Sequence, residues 1–414
     1  MMTGTTARSG RAYEHEAGTF DATLALVGRG TRGGELLRRY WQPFALSADA
    51  TTRPKMVRFL GEDLILFRDK AGKPGLLYPR CVHRGTSLFY GRVEEDGIRC
   101  CYHGWKFDVE GRCIEQPCEP RKGEHRGSVR QPWYPVVERH GALWTYMGPE
   151  ERQPLFPRFS IFEDLAEDEE IISYYLSPAG ELAPWPQDYN WFQMFENAMD
   201  TWHLAILHTM ISGPQFSKEA TGSSRQTPDL FNVGWERTDH GVIATSGAYD
   251  AAGREYVRQS EAFMPNCYAI SPFFVAEGIG NELFWVMPFD DTNHEILMNR
   301  RQKKGTPLPD NRNIIAFGPH RKIWAELTDE EKQDFPSDYE AQKSQGDITL
   351  HSEEHLARSD KGVVLLRRLY KEQAEAVAAG RNPVGVSFNE EDGPIPLHSG
   401  VFPVERDHAR MAGR

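Results

Sequence analysis

The sequence predicts an α+β protein in two parts, an antiparallel β domain followed by a larger domain of strands and helices. Between Met56 and Gly148, short apolar segments alternate with turn residues, which is the pattern of an antiparallel β domain. The polar run GPEERQP begins at Gly148, and the strand segments beyond it have helical segments on both sides, an α+β arrangement. We therefore expect a leader at 1–33, a β domain at 34–150 and an α+β domain at 151–414.

Length, charge and composition limit the classes of function. A chain of 414 residues can form two separate cores. The net charge of −12, with both signs scattered, predicts no nucleic-acid binding. No apolar run approaches the ~18 residues that cross a bilayer, so we expect no membrane association and a cytoplasmic protein. Six cysteines in this length do not suggest a secreted disulfide framework.

The first part is expected to begin with one helix and to continue as strands. The segment Gly34–Trp41 has helical spacing and stops before Pro43, which cannot continue a helix. From Met56 onward, apolar segments are separated by glycine-containing turns. The expected strand segments are VRFLGEDLILFRD, GLLYP, GIRC, WKFDVEGRCIEQ and WYPVVERHGALWTYMG.

The second part is expected to hold a sheet with helices before and after it. Ile171–Leu176 has the composition of a strand, and Asn190–Ile206 has that of a helix. The strand segments that follow are GVIATSGAY, REYVRQSEAF, CYAISPFF, ELFWVMPF and HEILMNRR. Helical spacing returns at Arg321–Leu327 and, more strongly, at Lys361–Ala379.

Two Cys-His pairs form the first candidate metal site. Cys81 and His83 make a C-x-H pair, Cys100 and His103 make a C-x-x-H pair, and sixteen residues separate His83 from Cys100. Two thiolates and two imidazoles suit either a tetrahedral zinc or a [2Fe–2S] cluster in which two histidines bind one iron. Each pair supplies one ligand of each type, which favours the cluster over a zinc finger. Cys101 stands at C-x-H spacing to His103 and is an alternative thiol.

A second candidate metal site lies in the predicted helix after Asn190. Glu196, Asp200 and His203 are spaced by four and three residues and would share one helical face. His208 is five residues further and roughly 140° away on an ideal helix, so it joins His203 only if the helix ends or bends near Leu207. Two histidines with one carboxylate form the facial arrangement that leaves open positions on non-haem Fe(II).

Both motifs resemble one family. CVHRGTSL and CCYHGWKFD resemble the Rieske loops of ring-hydroxylating oxygenases, and NWFQMFENAMDTWHLAILH resembles their iron-binding segment. GELLRRYWQP, GEDLILFRD and SDKGVVLLRRL extend the resemblance over most of the chain. It is nearest to the large subunits of the phthalate-dioxygenase-like and aryl O-demethylase branch of the Rieske non-haem iron oxygenases. The resemblance implies an antiparallel β Rieske domain followed by an α+β helix-grip catalytic domain with mononuclear iron.

The resemblance also implies a role for each motif residue. The [2Fe–2S] ligands would be Cys81, His83, Cys100 and His103. Cys100 is preferred to Cys101 because the C-x-x-H spacing is that of the family. His203 and His208 would bind the mononuclear iron. Asp200 would be the carboxylate that joins His203 to His103 of a neighbouring subunit.

The third iron ligand is expected far along the chain. The segment Phe335–Asp360 is similar to the one in which the family places its ligating Asp, and alignment on SxGxI and EHL puts that residue at Asp338. The alternative carboxylates nearby are Asp334, Glu340 and Asp347. Two histidines of the segment, His351 and His355, are expected to be non-ligands because the ligand set is already complete.

The function implied by the resemblance is that of a terminal oxygenase in aromatic catabolism. A separate flavin and ferredoxin reductase would deliver electrons from NAD(P)H, and the large subunits would form a homotrimer. The substrate would be a small aromatic compound, with a preference for a carboxylated one, oxidised with O2 by cis-dihydroxylation or O-demethylation. A Rieske-type electron carrier is the main alternative, and it would leave the second motif and about 260 further residues without a role.

The sequence gives only candidates for the substrate pocket. We expect it to be lined by Leu283–Met287 and by residues after His208, namely Met210, Ile211, Gln215 and Phe216. A carboxylated substrate would favour a guanidinium partner. The arginines available for this role are Arg225, Arg237, Arg254, Arg258, Arg300 and Arg301.

Overall fold

The computed structural model describes residues 12, 15–124, 126–177, 180–213, 215, 230–249, 255–270, 278–308 and 315–404. Two short helices, α1 (Ala22–Ala25) and α2 (Arg32–Leu37), precede the first sheet. The Thr31 side chain caps α2 by accepting a hydrogen bond from the Gly34 N–H. Helix α2 begins two residues before the predicted segment Gly34–Trp41 and ends four residues before the end of that segment, and the strand β1 then begins at Gln42.

The first part contains eleven described strands in three antiparallel sheets. The strands are β1 (Gln42–Leu46), β2 (Lys55–Phe59), β3 (Glu62–Arg68), β4 (Pro74–Leu77), β5 (Arg92–Glu94), β6 (Gly97–Arg99), β7 (Lys106–Phe107), β8 (Cys113–Glu115), β9 (Trp133–Tyr134), β10 (Val136–Arg139) and β11 (Ala142–Thr145). Their orders are β1-β11-β10, β2-β3-β4-β9 and β5-β6-β7-β8. Ile65, Phe67, Leu77 and Phe107 form a core between the two four-stranded sheets, and this core supports the β4–β5 and β6–β7 loops.

The second part is built on one antiparallel sheet. Its described strands are β12 (Glu169–Tyr175), β13 (Phe231–Arg237), β14 (Gly241–Tyr249), β15 (Glu255–Phe263), β16 (Cys267–Ala269), β17 (Gly278–Ile279), β18 (Glu282–Pro288), β19 (His294–Lys303) and β20 (Gly400–Pro403). Seven of them follow the order β12-β19-β18-β16-β15-β14-β13, while β20 pairs with β15 and β17.

Helices and short turns complete the second part. They are α3 (Trp191–Asn197), α4 (Thr201–Ala205), a π-helical turn (Ile206–Ile211), α5 (Asp329–Asp334), α6 (Asp338–Lys343) and α7 (Lys361–Ala378). Helix α3 packs against β18, and α7 packs against β13, β14 and α2. Trp191, Phe192 and Tyr370 are buried together where α3 meets α7. The core thus fixes α3, which precedes the histidines of the second motif.

Two of the three helices predicted for this part differ from the structure. Lys361–Ala379 is confirmed to within one residue as α7. The predicted helix Arg321–Leu327 is wrong, since only a 3₁₀ turn, Trp324–Glu326, forms there. The predicted helix Asn190–Ile206 is interrupted after Asn197. None of the described helices has both the length and the apolar character that spanning a membrane requires.

Candidate metal centres

Two loops of the first part bring two thiols and two imidazoles together. The β4–β5 loop carries Cys81 and His83. The β6–β7 loop carries Cys100 and His103. Both of these cysteines are buried in one apolar cluster, whereas Cys101 is exposed. The rings of His83 and His103 are partly exposed, with centroids 4.6 Å apart. Two inner thiols and two outer imidazoles fit a cluster with one thiolate-bound and one imidazole-bound iron.

A buried glutamine holds the first of these loops. The Gln131 amide donates to the carbonyls of Tyr78 and Arg80, each at 2.8 Å. Its Oε1 accepts from the backbone N–H of Val82 at 3.0 Å. These three bonds fix the backbone on both sides of Cys81. No sequence pattern could predict this role, because the partners of Gln131 lie about fifty residues away in the chain.

The thiol and imidazole ends of the first site have different surroundings. Burial raises the pKa of Cys81 to about 12, and the neighbouring Cys100 thiol adds to the rise. Trp105 stacks on the His83 ring with a centroid distance of 4.4 Å and an interplanar angle of 4°. Because cysteine binds iron as the thiolate, iron binding at Cys81 is coupled to proton release.

The predicted long helix of the second motif is broken at its carboxylate. Helix α3 ends at Asn197, and Asp200 caps the start of α4 with a non-helical backbone conformation. Glu196, Asp200 and His203 therefore do not share one helical face. The Asp200 carboxylate is partly exposed and makes no hydrogen bond or ion pair with any residue that the structure describes.

A π-helical turn brings the two histidines of the motif to one side. Ile206–Ile211 follows α4 without interruption. Hydrogen bonds of a π-helix connect residues five apart, as from the N–H of Ser212 to the carbonyl of Leu207. Five residues then complete about one turn, so His208 returns to the side of His203. The expected bend near Leu207 is present in this form.

His203, His208 and Asp338 converge from two distant segments. Nε2 of His208 lies 3.2 Å from Oδ2 of Asp338, and Nε2 of His203 lies 3.7 Å from Oδ1. Ligand atoms of the three side chains all lie within 4.8 Å of one another. Two imidazoles and one carboxylate aimed at a common point fit a mononuclear iron with open positions for O2.

The charges of the three side chains are matched to one another. Burial alone would raise the pKa of Asp338, yet the imidazoles of His208 and His203 hold it well below its usual range. Burial alone would lower the pKa of His208, yet the Asp338 carboxylate raises it above its ordinary value. Asp338 is therefore ionised, which is the form that binds a metal ion.

The alternatives to Asp338 have other environments. Asp338 is the first residue of α6, capped by the preceding serine. Glu340 accepts a hydrogen bond from an indole N–H at 2.6 Å. Asp347 pairs with a lysine at 2.6 Å, and Asp334 is exposed. Of these four carboxylates, the structure brings Asp338 to the two histidines.

Other candidate residues of the two segments have partners elsewhere. Glu196 accepts hydrogen bonds from Arg367 at 2.6 and 2.7 Å. Nδ1 of His351 accepts from the backbone N–H of Asp21 at 3.0 Å, and His355 is exposed. None of these three side chains belongs to the converging group.

Two amide side chains stand beside the converging group: Asn197, which the sequence did not suggest, and Gln215, which was expected to line the substrate pocket. Nδ2 of Asn197 donates to Oδ1 of Asp338 at 3.2 Å. Oε1 of Gln215 lies 2.6 Å from Nδ1 of His208, so Gln215 stands behind this imidazole instead of in the expected pocket lining. Amide side chains are not typical metal ligands. Only their positions, within or just after the segment Asn190–His208, could have suggested that these two residues lie near the metal site.

The strand register places one of the candidate arginines, Arg258, on a defined face of the sheet. Ala262 on β15 lies opposite Tyr268 on β16. Residues four apart on a strand share a face, so Arg258 lies on the same face as Tyr268. Burial and then the charge of Asp338 raise the pKa of Tyr268. Burial also lowers the pKa of Arg258.

The remaining pocket candidates fall into four groups. Some arginines pair with carboxylates of this chain, namely Arg237, Arg300 and Arg301. On the sheet, Phe284 stacks on Tyr268 with ring centroids 4.9 Å apart, within the buried segment Leu283–Met287. Met210 and Ile211 are exposed. Some candidates lie outside the described residues, namely Phe216, Arg225 and Arg254.

The comparisons with known proteins assign the family. Residues 40–135 match the Rieske [2Fe-2S] domain. The chain is 48% identical over 408 residues to the phenoxybenzoate dioxygenase subunit alpha of Ectopseudomonas oleovorans, with 98% of this chain and 97% of that one covered. The chain belongs to the Rieske non-haem iron oxygenases. The predicted family is thereby confirmed, and the zinc alternative is excluded.

Other proteins similar to this Rieske oxygenase subunit are also oxygenases. It is 37% identical to the tert-butanol monooxygenase / tert-amyl alcohol desaturase oxygenase subunit of Aquincola tertiaricarbonis, covering 89% of this chain and 79% of that one. It is 30% identical to the 5,5'-dehydrodivanillate O-demethylase oxygenase subunit of a Sphingobium strain, covering 88% and 81%. The crystal structure of dicamba monooxygenase bound to dicamba superposes with a TM-score of 0.57 at 18% identity, covering 83% and 99%.

Membership of this family confirms the predicted fold class and general function. The chain is an α+β Rieske oxygenase subunit. Its match to the phenoxybenzoate dioxygenase subunit alpha covers nearly the whole length of both chains. It is the terminal oxygenase component of a multicomponent system with a [2Fe–2S] cluster, a mononuclear iron and electrons from a separate reductase. The electron-carrier alternative is not favoured.

Proposed function

We propose that this Rieske oxygenase oxidises an aromatic carboxylate with O2, by cis-dihydroxylation of a ring or by O-demethylation. The observation that carries the proposal is the convergence of His203, His208 and Asp338, which we assign as ligands of the mononuclear iron. We assign the [2Fe–2S] cluster to four residues, namely Cys81, His83, Cys100 and His103. We propose that residues 34–150 form the domain that holds the cluster and that residues 151–414 form the domain that holds the iron.

The protein side chains supply placement, while the metal groups supply the redox chemistry. When bound, the cluster provides single electrons and the iron provides O2 activation. His203 and His208 direct their Nε2 atoms toward Asp338. The rings of Tyr268 and Phe284 stack on each other in the core of the same domain. We propose that a flat substrate ring would pack on aromatic side chains of this kind, which would keep water away from it.

Asp200 is proposed to join the two sites across a subunit boundary. Its carboxylate is partly exposed and has no hydrogen-bonding partner among the described residues. The Rieske loops expose Tyr90 and Tyr102 by 70% and 58%, a large aromatic area for a surface. We infer a homotrimer in which Asp200 accepts a hydrogen bond from the His103 imidazole of a neighbour, fixing that imidazole's tautomer. A solution mass three times the 47.2 kDa of one chain is expected.

The proposed substrate class rests on similarity and on one side chain. The relative with 48% identity is named for phenoxybenzoate and the relative with 30% for a divanillate, both of them aromatic carboxylates. Arg258 shares a sheet face with Tyr268, and we propose that it pairs with the substrate carboxylate. NAD(P)H would supply electrons through a flavin and ferredoxin reductase in the cytoplasm.

A single turnover tests the proposed reaction. The purified protein is reduced chemically and mixed with O2 and either tert-butanol or a panel of phenoxybenzoates, phthalates, methoxybenzoates and lignin-derived biaryl acids, and the products are identified by mass spectrometry. Dihydroxylation adds both atoms of O2 to the ring as a cis-diol, whereas O-demethylation gives a phenol, formaldehyde and water. Either product supports the proposal. Oxidation of tert-butanol but of no aromatic acid would contradict it.

A further inference from the structure

We propose that Gln215 is a positioning residue that fixes the tautomer and orientation of His208 toward the mononuclear iron. The proposal rests on the iron site proposed above. Gln215 is completely buried and lies seven residues after His208, just beyond the π-helical turn. A buried amide must satisfy both its donor and its acceptor, so its partners define its orientation.

The hydrogen bonds of Gln215 determine which nitrogen of His208 carries the proton. Nε2 of Gln215 lies 2.9 Å from the carbonyl oxygen of Pro336, and a carbonyl can only accept. The amide NH₂ therefore faces Pro336, and Oε1 faces Nδ1 of His208 at 2.6 Å. Since Oε1 can only accept, Nδ1 is the protonated nitrogen. Nε2 of His208 is left as the basic atom, and it faces Asp338 at 3.2 Å.

The same amide connects the two segments that supply the iron ligands. Pro336 is two residues before Asp338, so the bond from Gln215 ties the loop after His208 to the start of α6. The backbone N–H of Gln215 also donates to the carbonyl of His208 at 3.3 Å. Ser212 donates to the Pro336 carbonyl at 2.6 Å without contacting the imidazole. Ser212 thus shares the structural contact of Gln215 but lacks its bond to His208.

This difference makes Ser212 a matched control. A purely structural role for Gln215 predicts that both side chains affect protein stability and that neither specifically affects iron binding. A positioning role predicts a specific loss of iron affinity, because the partner of a ligating imidazole typically contributes about 10–100-fold to metal affinity.

The test is anaerobic titration of protein from which the mononuclear iron has been removed, with Fe(II) in competition with a chelator. We expect Gln215→Met to weaken Fe(II) binding by about 10–100-fold. Gln215→Glu should keep most of the affinity, because its carboxylate still accepts the Nδ1 proton. Ser212→Ala should bind Fe(II) like the wild type. The visible spectrum of the Rieske cluster and the melting temperature report whether each variant is folded.

Two results would overturn the role of Gln215. One is wild-type Fe(II) affinity in folded Gln215→Met, and the other is an equal loss of affinity in Ser212→Ala and Gln215→Met. If Gln215→Met does not fold, proton NMR of the Co(II)-substituted wild type tests the role of Gln215 instead. The proposal requires an exchangeable Nδ1 proton on His208, and absence of that proton would overturn it. A wild-type protein that binds Fe(II) no better than His208→Ala would instead overturn the proposed iron site itself.

Discussion

At the scale of single residues, the two metal sites differ in how far they are open to solvent. His83 and His103 of the first site are partly exposed, although the two thiols beside them are buried. At the second site His208 is only 1% exposed. Exposed imidazoles suit a cluster that receives electrons from a partner protein. An enclosed imidazole suits a centre from which bulk water must be kept away.

Arg258 provides a test of substrate specificity at this scale. We expect Arg258→Met to raise KM for an aromatic carboxylate at least about tenfold with a smaller change in kcat, because it removes binding that ground state and transition state share. Steady-state assays with a reductase measure both constants. Arg237→Met is the matched control, since Arg237 pairs with Glu372 and should leave KM unchanged. Equal effects of the two substitutions would contradict the assignment.

Residue types with strong chemical signatures could be predicted from the sequence, and amides could not. Cys81, His83 and His203 stand in short motifs whose spacing already indicates a metal site. Gln131 and Gln215 act through hydrogen bonds to segments that lie far along the chain. Those contacts exist only in the folded protein, so the spacing of these residues carried no information.

At the scale of elements, the interruption between α3 and α4 is what sequence periodicity could not reveal. The apolar residues of Asn190–Ile206 keep a helical period, yet the backbone leaves the helix at Asp200. Buried packing of Trp191 and Phe195 holds α3, and the π-helical turn compensates for the five-residue spacing of the histidines. The broken helix lets Asp200 reach the surface while His208 stays inside.

The orientation of α3 depends on a buried ion-pair network. Arg367 on α7 binds Glu196 on α3 through two nitrogens and also binds Glu354. We expect Arg367→Met to destabilise the protein by about 3–5 kcal/mol, since it leaves Glu196 buried without its counter-charge. Thermal unfolding measures the change. Arg368→Met alters an exposed neighbour on the same helix and should have little effect; similar losses in both variants would refute this account.

The first Rieske loop depends in the same way on Gln131. We expect Gln131→Leu to lower the cluster content, because it leaves two carbonyls and one N–H of the loop without their partner. Iron and acid-labile sulfide per chain are the quantities to measure. Gln193→Leu removes an equally buried amide of the second part and should leave the cluster intact. A full cluster in Gln131→Leu would contradict this prediction and show that the loop keeps its structure without the hydrogen bonds of Gln131.

At the scale of the whole molecule, the proposed cluster site lies at loops of the first part whose histidines are partly exposed, and the proposed iron site includes the buried His208 of the second part. The exposed aromatic side chains of the Rieske loops and the carboxylate of Asp200 are the surfaces that a trimer would cover. Neighbouring subunits would then share each catalytic unit. Such an assembly makes the oxygenase depend on chain association as well as on folding.

The pH dependence of overall stability is expected to reflect Glu295 on β19. Its side chain is completely buried, and burial raises its pKa to about 8. The stabilising contribution of the protonated form is complete below the unfolded-state pKa and is lost as the pH rises toward 8. We expect Glu295→Gln to melt progressively higher than the wild type between pH 5 and pH 8. A difference in melting temperature that does not vary with pH would contradict this.

The iron content of Asp338→Asn tests the central claim most directly. We predict about three iron atoms per wild-type chain, two in the cluster and one mononuclear, and about two iron atoms per chain in the variant. The Rieske spectrum should persist while product formation is lost. Asp347→Asn, which alters a nearby carboxylate paired with Lys343, should behave like the wild type. Full iron content and undiminished turnover in Asp338→Asn would contradict the proposed iron site.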